Sequence, residues 1–229
     1  GDLTVNLGTV DVTGTLAANV DVVVANAAAI YKVSASDTIN TLTVGAAGKA
    51  QLESGQTLTI AATSAIAGVV QGAGNLSITG GTTTLSAINT YAGTTTIATG
   101  ATILIDGGGK LGNGSYAGAI ANAGTLDYDS TATQTLSGII SGAGALTVTG
   151  SGTGALTLTG VNTYSGATTI ATGSLVIGGS GKLGNGSYAG TIANATTLTY
   201  SSDATQTLSG VISGAGAVVK DTDASVLTL

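Results

Sequence analysis

The chain has 229 residues, of which 43% are hydrophobic and only 7% charged, with a formal net charge of −6. It contains no Cys, Met, Trp, Phe, Pro or His, Arg is missing as well, and its basic residues are Lys32, Lys49, Lys110, Lys182 and Lys220. That inventory excludes a disulfide framework or thiolate metal site, and such scattered lysines exclude the grouped cations that a nucleic-acid surface needs.

In chain order, short apolar alternations recur between glycine- and asparagine-rich corners. Residues 2–12 read as a strand broken at Gly8. Residues 20–30 form the most apolar stretch, but Asp21 and Asn26 interrupt it and it is too short to span a bilayer. Thr41-Leu42-Thr43-Val44 and Thr57-Leu58-Thr59-Ile60 follow, then Leu76 and Ile78 alternating with Ser77 and Thr79. Leu126/Tyr128, Leu146/Val148, Leu156/Leu158 and Leu198/Tyr200 repeat the pattern, and Ile103-Leu104-Ile105 and Leu175-Val176-Ile177 are fuller apolar runs. Period two with threonine on the opposite face predicts half-buried strands. Asn113-Gly114, Asn185-Gly186 and Gly107-Gly108-Gly109 supply the conformations that tight corners demand. A sandwich, a barrel or a coil of strands would each satisfy this texture.

An internal copy decides among them. Residues 109–146 recur almost unchanged as residues 181–218, an offset of 72. A solenoid places one unit on the next, so copying is expected of it. The fold class is therefore all-β, a single parallel β-helix with about 72-residue internal repeats. A coil of about 24 residues gives three coils per repeat and roughly nine or ten in all, stacked at about 4.8 Å into a body roughly 45 Å long. Residues 1–71 read as degenerate coils of the same solenoid, with an assembly strand at 1–14. Residues 72–229 carry the repeat.

Gly154-Ala155-Leu156-Thr157-Leu158-Thr159-Gly160-Val161-Asn162-Thr163-Tyr164-Ser165-Gly166, continuing through Ala167-Thr168-Thr169-Ile170 and Gly173-Ser174-Leu175, resembles the autotransporter-associated β-strand repeat. A weaker copy runs from Ile88-Asn89-Thr90-Tyr91-Ala92-Gly93-Thr94 to Gly100. The resemblance implies a right-handed parallel β-helix exported to a bacterial cell surface, of the kind that forms passenger stalks of adhesins. No segment resembles the membrane barrel of an autotransporter.

Val226-Leu227-Thr228-Leu229 aligns with Ala155-Leu156-Thr157-Leu158, so the repeat is still open where the sequence stops. The chain is thus either part of a longer protein or completed by another subunit. On the second reading Leu3, Val5 and Leu7 at one end, and Val226, Leu227 and Leu229 at the other, are the assembly candidates. The expected partner is then a further copy of the chain, head to tail, with cell-surface glycans or other cells as the alternative, and with neither nucleic acid nor membrane span.

Candidate chemistry is sparse. Asp127/Asp129 and Asp221/Asp223 are spaced to share a strand face, but Thr199 and Ser201 replace the first pair in the copy. Neither a catalytic set, nor a cofactor site, nor the tandem calcium pattern is readable. The tyrosines Tyr91/Tyr164, Tyr116/Tyr188 and Tyr128/Tyr200 recur at the repeat offset, as a glycan-binding row or as a structural ladder at the coil edge. Asn75, Asn113, Asn185 and Asn194 stand in Asn-x-Ser/Thr sequons. The chain reads as a non-enzymatic structural protein of the bacterial exterior that stacks into a filament or surface layer, or else as the stalk segment of an adhesin.

Overall fold

The computed structural model describes residues 1–150, 154–221 and 225–229. Ser151-Gly152-Thr153, which the sequence reads as a three-residue insertion between repeat copies, and Asp223 of the second acid pair lie outside those residues. The pairings between named strands are all parallel: Leu3–Val5 on Asp21–Val24, Asp21–Val24 on Thr41–Val44, and so onward. Adjacent parallel strands need a long crossover. Here the crossover is the rest of one turn of the coil, so each strand pairs with its equivalent one turn away.

Three faces result. One is a continuous 11-stranded sheet from Leu3–Val5 to Ile212–Ser213. The second joins a four-stranded group, Gly8–Val12 to Val69–Gly72, to a six-stranded group, Ser115–Tyr116 to Ala217–Lys220, across the bridge Ile88–Lys110. The third runs from Asp37–Ile39 to Ile140–Ser141 and resumes at Ser187–Tyr188. The solenoid has about 11 turns of roughly 20 residues. This corrects the expected nine or ten coils of about 24, and at about 4.8 Å per turn it spans about 50 Å.

The shorter turn changes what the 72-residue copy means. Ile103 pairs with Leu126, Leu126 with Leu146 and Leu146 with Thr168. Three turns therefore carry the first face from residue 103 to residue 168. The copy of Ile103 is Leu175, which lies beyond that point and pairs with Leu156 on the second face. The copied segment advances three turns and one face, so it does not stand above its original. The sequence tolerates the rotation because all three faces ask the same of a strand: an apolar residue inward, a hydroxyl or small residue outward.

Burial follows that alternation. Thr57–Ile60 and Asn75–Ile78 both run half-buried, buried, half-buried, buried, with Leu58 over Leu76 and Ile60 over Ile78. Fully burying such side chains stabilises by about 1.5–3 kcal/mol each. The column also takes all seven tyrosines, each 2% exposed or less. An aromatic ring therefore fits this interior where its hydroxyl reaches a polar partner at a corner.

The third class of inward residue is the amide. Asn89 Oδ1 accepts the Val70 N–H at 2.9 Å, and its Nδ2 donates to the carbonyls of Ala87 and Lys110. Asn162 repeats this with Ile140, Gly160 and Lys182. Gln134 accepts the Leu111 N–H at 2.8 Å and donates to the carbonyls of Leu111 and Thr135, and Gln206 does the same around Leu183. Each amide reaches back to the preceding turn and gives a buried backbone N–H there its acceptor.

Candidate functional site

The most organised side-chain chemistry sits at two corners built alike. In the first, Tyr91 and Tyr116 lie with ring centroids 5.4 Å apart, and Thr95 Oγ1 is 2.7 Å from both hydroxyls. Tyr116 O–H donates to the Gly93 carbonyl. A phenol has one proton, so Thr95 must donate to Tyr116, and Tyr91 to Thr95. In the second corner Tyr164, Thr168 and Tyr188 form the same relay, ending on the Gly166 carbonyl. The tyrosine row expected from the repeat is thus two internal pairs on different faces. Tyr128 and Tyr200 stand apart, donating to the carbonyls of Ala132 and Ala204. Tyr31 donates to the buried Asp37, whose other oxygen accepts the N–H groups of Leu16 and Thr38.

Burial, above all, raises the pKa of Tyr91, Tyr164, Tyr116, Tyr188, Tyr31 and Tyr128. The folded chain therefore keeps protons that the unfolded chain releases above about pH 10. The stability these groups contribute is complete below that pH and is lost as pH rises further. Tyrosine absorbance and sheet circular dichroism are expected to change together in one alkaline transition. Ionisation of most tyrosines in a chain that keeps its sheet signal would contradict this.

Outside each tyrosine pair the chain makes a Gly-Asn-Gly turn. Asn113 and Asn185 take φ of 57° and 55°, the left-handed region that asparagine tolerates better than most residues. Each turn closes a surface pocket. One, of about 240 Å³, is lined by Thr90, Tyr91, Asn113, Ser115 and Tyr116. The other, of about 340 Å³, is lined by Thr163, Tyr164, Ser165, Asn185, Ser187 and Tyr188. Asn113 and Asn185 are exposed, whereas the sequon Asn194 is buried and donates to the Ala217 carbonyl. Asn75 accepts from Thr94 N–H and Oγ1.

Asp127 and Asp129 share the outward side of the strand Thr125–Ser130, as their spacing predicts. Asp129 stands in register with Asp106 on the neighbouring strand, a proximity the sequence does not show. Burial, and the charge of Asp129, raise the Asp127 pKa against the Thr149 hydroxyl, which donates to it. On another face Lys32 bridges Asp11 at 3.1 Å and Glu53 at 3.8 Å.

The assembly candidates lie at opposite ends of the stack. Leu7 is 75% exposed, Leu3 is half-buried and Val5 is inside the column. Val226 and Leu229 are exposed and Leu227 is half-buried, paired to Gln206.

Sequence reasoning missed the amide rungs and the tyrosine relays. The signal was present in the Asn-Thr-Tyr triplets at 89–91 and 162–164: the asparagine replaces a backbone rung, the threonine reaches the pocket rim and the tyrosine starts the relay. Both triplets lie within the two stretches that a family model matches. The family model for the passenger-associated-transport-repeat matches residues 69–105 and 151–177. No curated protein and no solved structure matches the chain. Over those two stretches the chain, a parallel solenoid, is similar to the autotransporter passenger repeat family.

Proposed function

We propose that the chain is a non-enzymatic structural passenger: a stiff, exported β-solenoid that holds distance at the bacterial cell surface. The observation that carries the reading is the use of its buried polar groups. The inward Asn89, Asn162, Gln134 and Gln206 side chains, and the tyrosine relays, all hydrogen-bond to backbone. That chemistry maintains a ladder. Passenger repeats on this fold are usually structural or adhesive, and contacts confined to neighbouring turns give a quasi-one-dimensional rod. An antibody raised against the chain is expected to label intact cells of the source bacterium, and external protease to remove the label. Labelling only after lysis would overturn export.

A second, finer reading is head-to-tail assembly. The strands Ile212–Ser213, Ala217–Lys220 and Leu227–Thr228 each end their sheet, and Val211, Val226 and Leu229 are exposed beside them. Unpaired parallel strands over apolar side chains bind whatever continues the ladder, whether following sequence or a further copy. Purified chain is expected to form rods of increasing length with concentration in sedimentation and electron microscopy, and Val226→Lys with Leu229→Lys to suppress them. A chain that stays monomeric throughout would remove the filament reading and leave the passenger reading standing.

A further inference from the structure

The two corner pockets have the same lining at equivalent positions of the repeat: Thr90 and Thr163, Asn113 and Asn185, Ser115 and Ser187, Tyr91 and Tyr164, Tyr116 and Tyr188. Their floors are tyrosines buried and engaged in the relays, so the pockets cannot close by collapse. Their rims are exposed hydroxyls and an exposed amide. Among the described residues, the side chains of Thr163, Ser165, Asn185 and Ser187 make no hydrogen bond within the chain. A threonine or serine hydroxyl both donates and accepts, and an asparagine amide offers two donors and an acceptor. No charged side chain lines either pocket. Ala189 and Ala117 add a small apolar patch beside the polar rim.

We infer that each pocket is a binding site for one neutral sugar ring, with Asn185, Ser187, Thr163 and Ser165 forming the fuller site and Asn113, Ser115 and Thr90 the lesser one. Adjacent hydroxyls on a pyranose are paired donors and acceptors that match this rim, and its C–H face matches the alanine patch. The absence of lining charge selects a neutral ligand over an ionic one. At about 340 Å³ the larger pocket lies near the lower limit of small-molecule sites, so a single ring fills it. Ala92 replaces Ser165 in the smaller pocket and removes one hydroxyl. Because the copy advances three turns and one face, the sites are about 15 Å apart along the axis and face different directions. They bind separate rings rather than successive units of one straight chain.

The inference goes beyond the passenger reading and does not rest on it: cell labelling tests export, whereas the purified chain tests the pockets. Glucose, galactose and N-acetylglucosamine are titrated into the labelled full chain, with backbone amide resonances as the readout. The expected result for at least one of them is saturable shifts at Asn185 and Ser187, and weaker ones at Asn113 and Ser115, with affinities on the order of millimolar for so open a site. Asn185→Gly keeps the left-handed turn and removes the amide. It is expected to abolish the first set while leaving the second and the rest of the spectrum unchanged. Ala92→Ser is expected to strengthen the lesser site toward the fuller one. The inference is overturned if none of the three sugars shifts these amides at tens of millimolar, or if Asn185→Gly leaves the Ser187 shifts intact.

Discussion

Gly142→Ala is expected to destabilise the solenoid by about 3–5 kcal/mol, combining the left-handed backbone cost with overpacking. Gly142 ends the strand Ile140–Ser141 with φ of 103°, and a Cβ there would meet the Asn122 carbonyl oxygen at 2.1 Å. That oxygen belongs to the turn below, which the parallel ladder holds at a fixed spacing. The chain cannot relieve the contact without losing rungs on both sides. Gly100→Ala is the control: φ is 80°, but nothing lies within 4 Å of its Cβ position, so only the backbone cost of about 1–2 kcal/mol applies. Urea unfolding of both variants measures the difference. Equal losses would show that the close approach between turns contributes nothing. Since each turn touches only its neighbours, limited proteolysis of Gly142→Ala is expected to cut first near residues 122 and 142.

The second large effect concerns the amide rung at Asn162. Asn162→Ala strands the buried Ile140 N–H, whose acceptor is Asn162 Oδ1 at 2.9 Å, and removes one donor from the carbonyls of Gly160 and Lys182. A loss of about 3 kcal/mol follows from leaving such groups unpaired. Asn162→Asp is more informative because it is nearly isosteric. One oxygen of the introduced carboxyl still accepts from Ile140, but the other faces two carbonyls. Deprotonation is therefore disfavoured in the folded state, and the folded pKa rises above the unfolded value of about 3.9. Its stability is best at or below about pH 4 and declines as pH rises through the folded value. Urea midpoints at acid and neutral pH, each compared with the parent chain, test the sign. A variant that is relatively more stable at neutral pH would refute the rung assignment. Asn122 makes a graded comparison: its Nδ2 donates to Ala145 while its Oδ1 has no partner, so its removal loses less.

Much of this was legible in the residue order. Leu58-Thr59-Ile60 and Leu76-Ser77-Ile78 alternate as strands, and they pair in the expected parallel stack. Asn113-Gly114 and Asn185-Gly186 read as corners and occupy them with positive φ. The turn length was not legible, because single turns differ in the lengths of their corners, and only the register of Ile103 on Leu126 and of Leu126 on Leu146 counts them. The pockets were equally hidden. Thr163 and Asn185 are far apart in sequence and meet only because one turn returns the chain to the same corner.

The sequence by itself determined that this chain is a repeating all-β solenoid, because period-two alternation and a near-exact copy are properties of residue order alone. Only the tertiary structure decided which face each copy occupies, and therefore which residues meet. Register is a sum over every corner in the coil, and a turn of roughly 20 residues carries a 72-residue copy past three whole turns onto the next face. The tertiary structure likewise decided that the asparagines of the Asn-Thr-Tyr triplets face inward. A buried backbone group needs a partner wherever the ladder misses a rung, and the missing rungs exist only once the coil has closed.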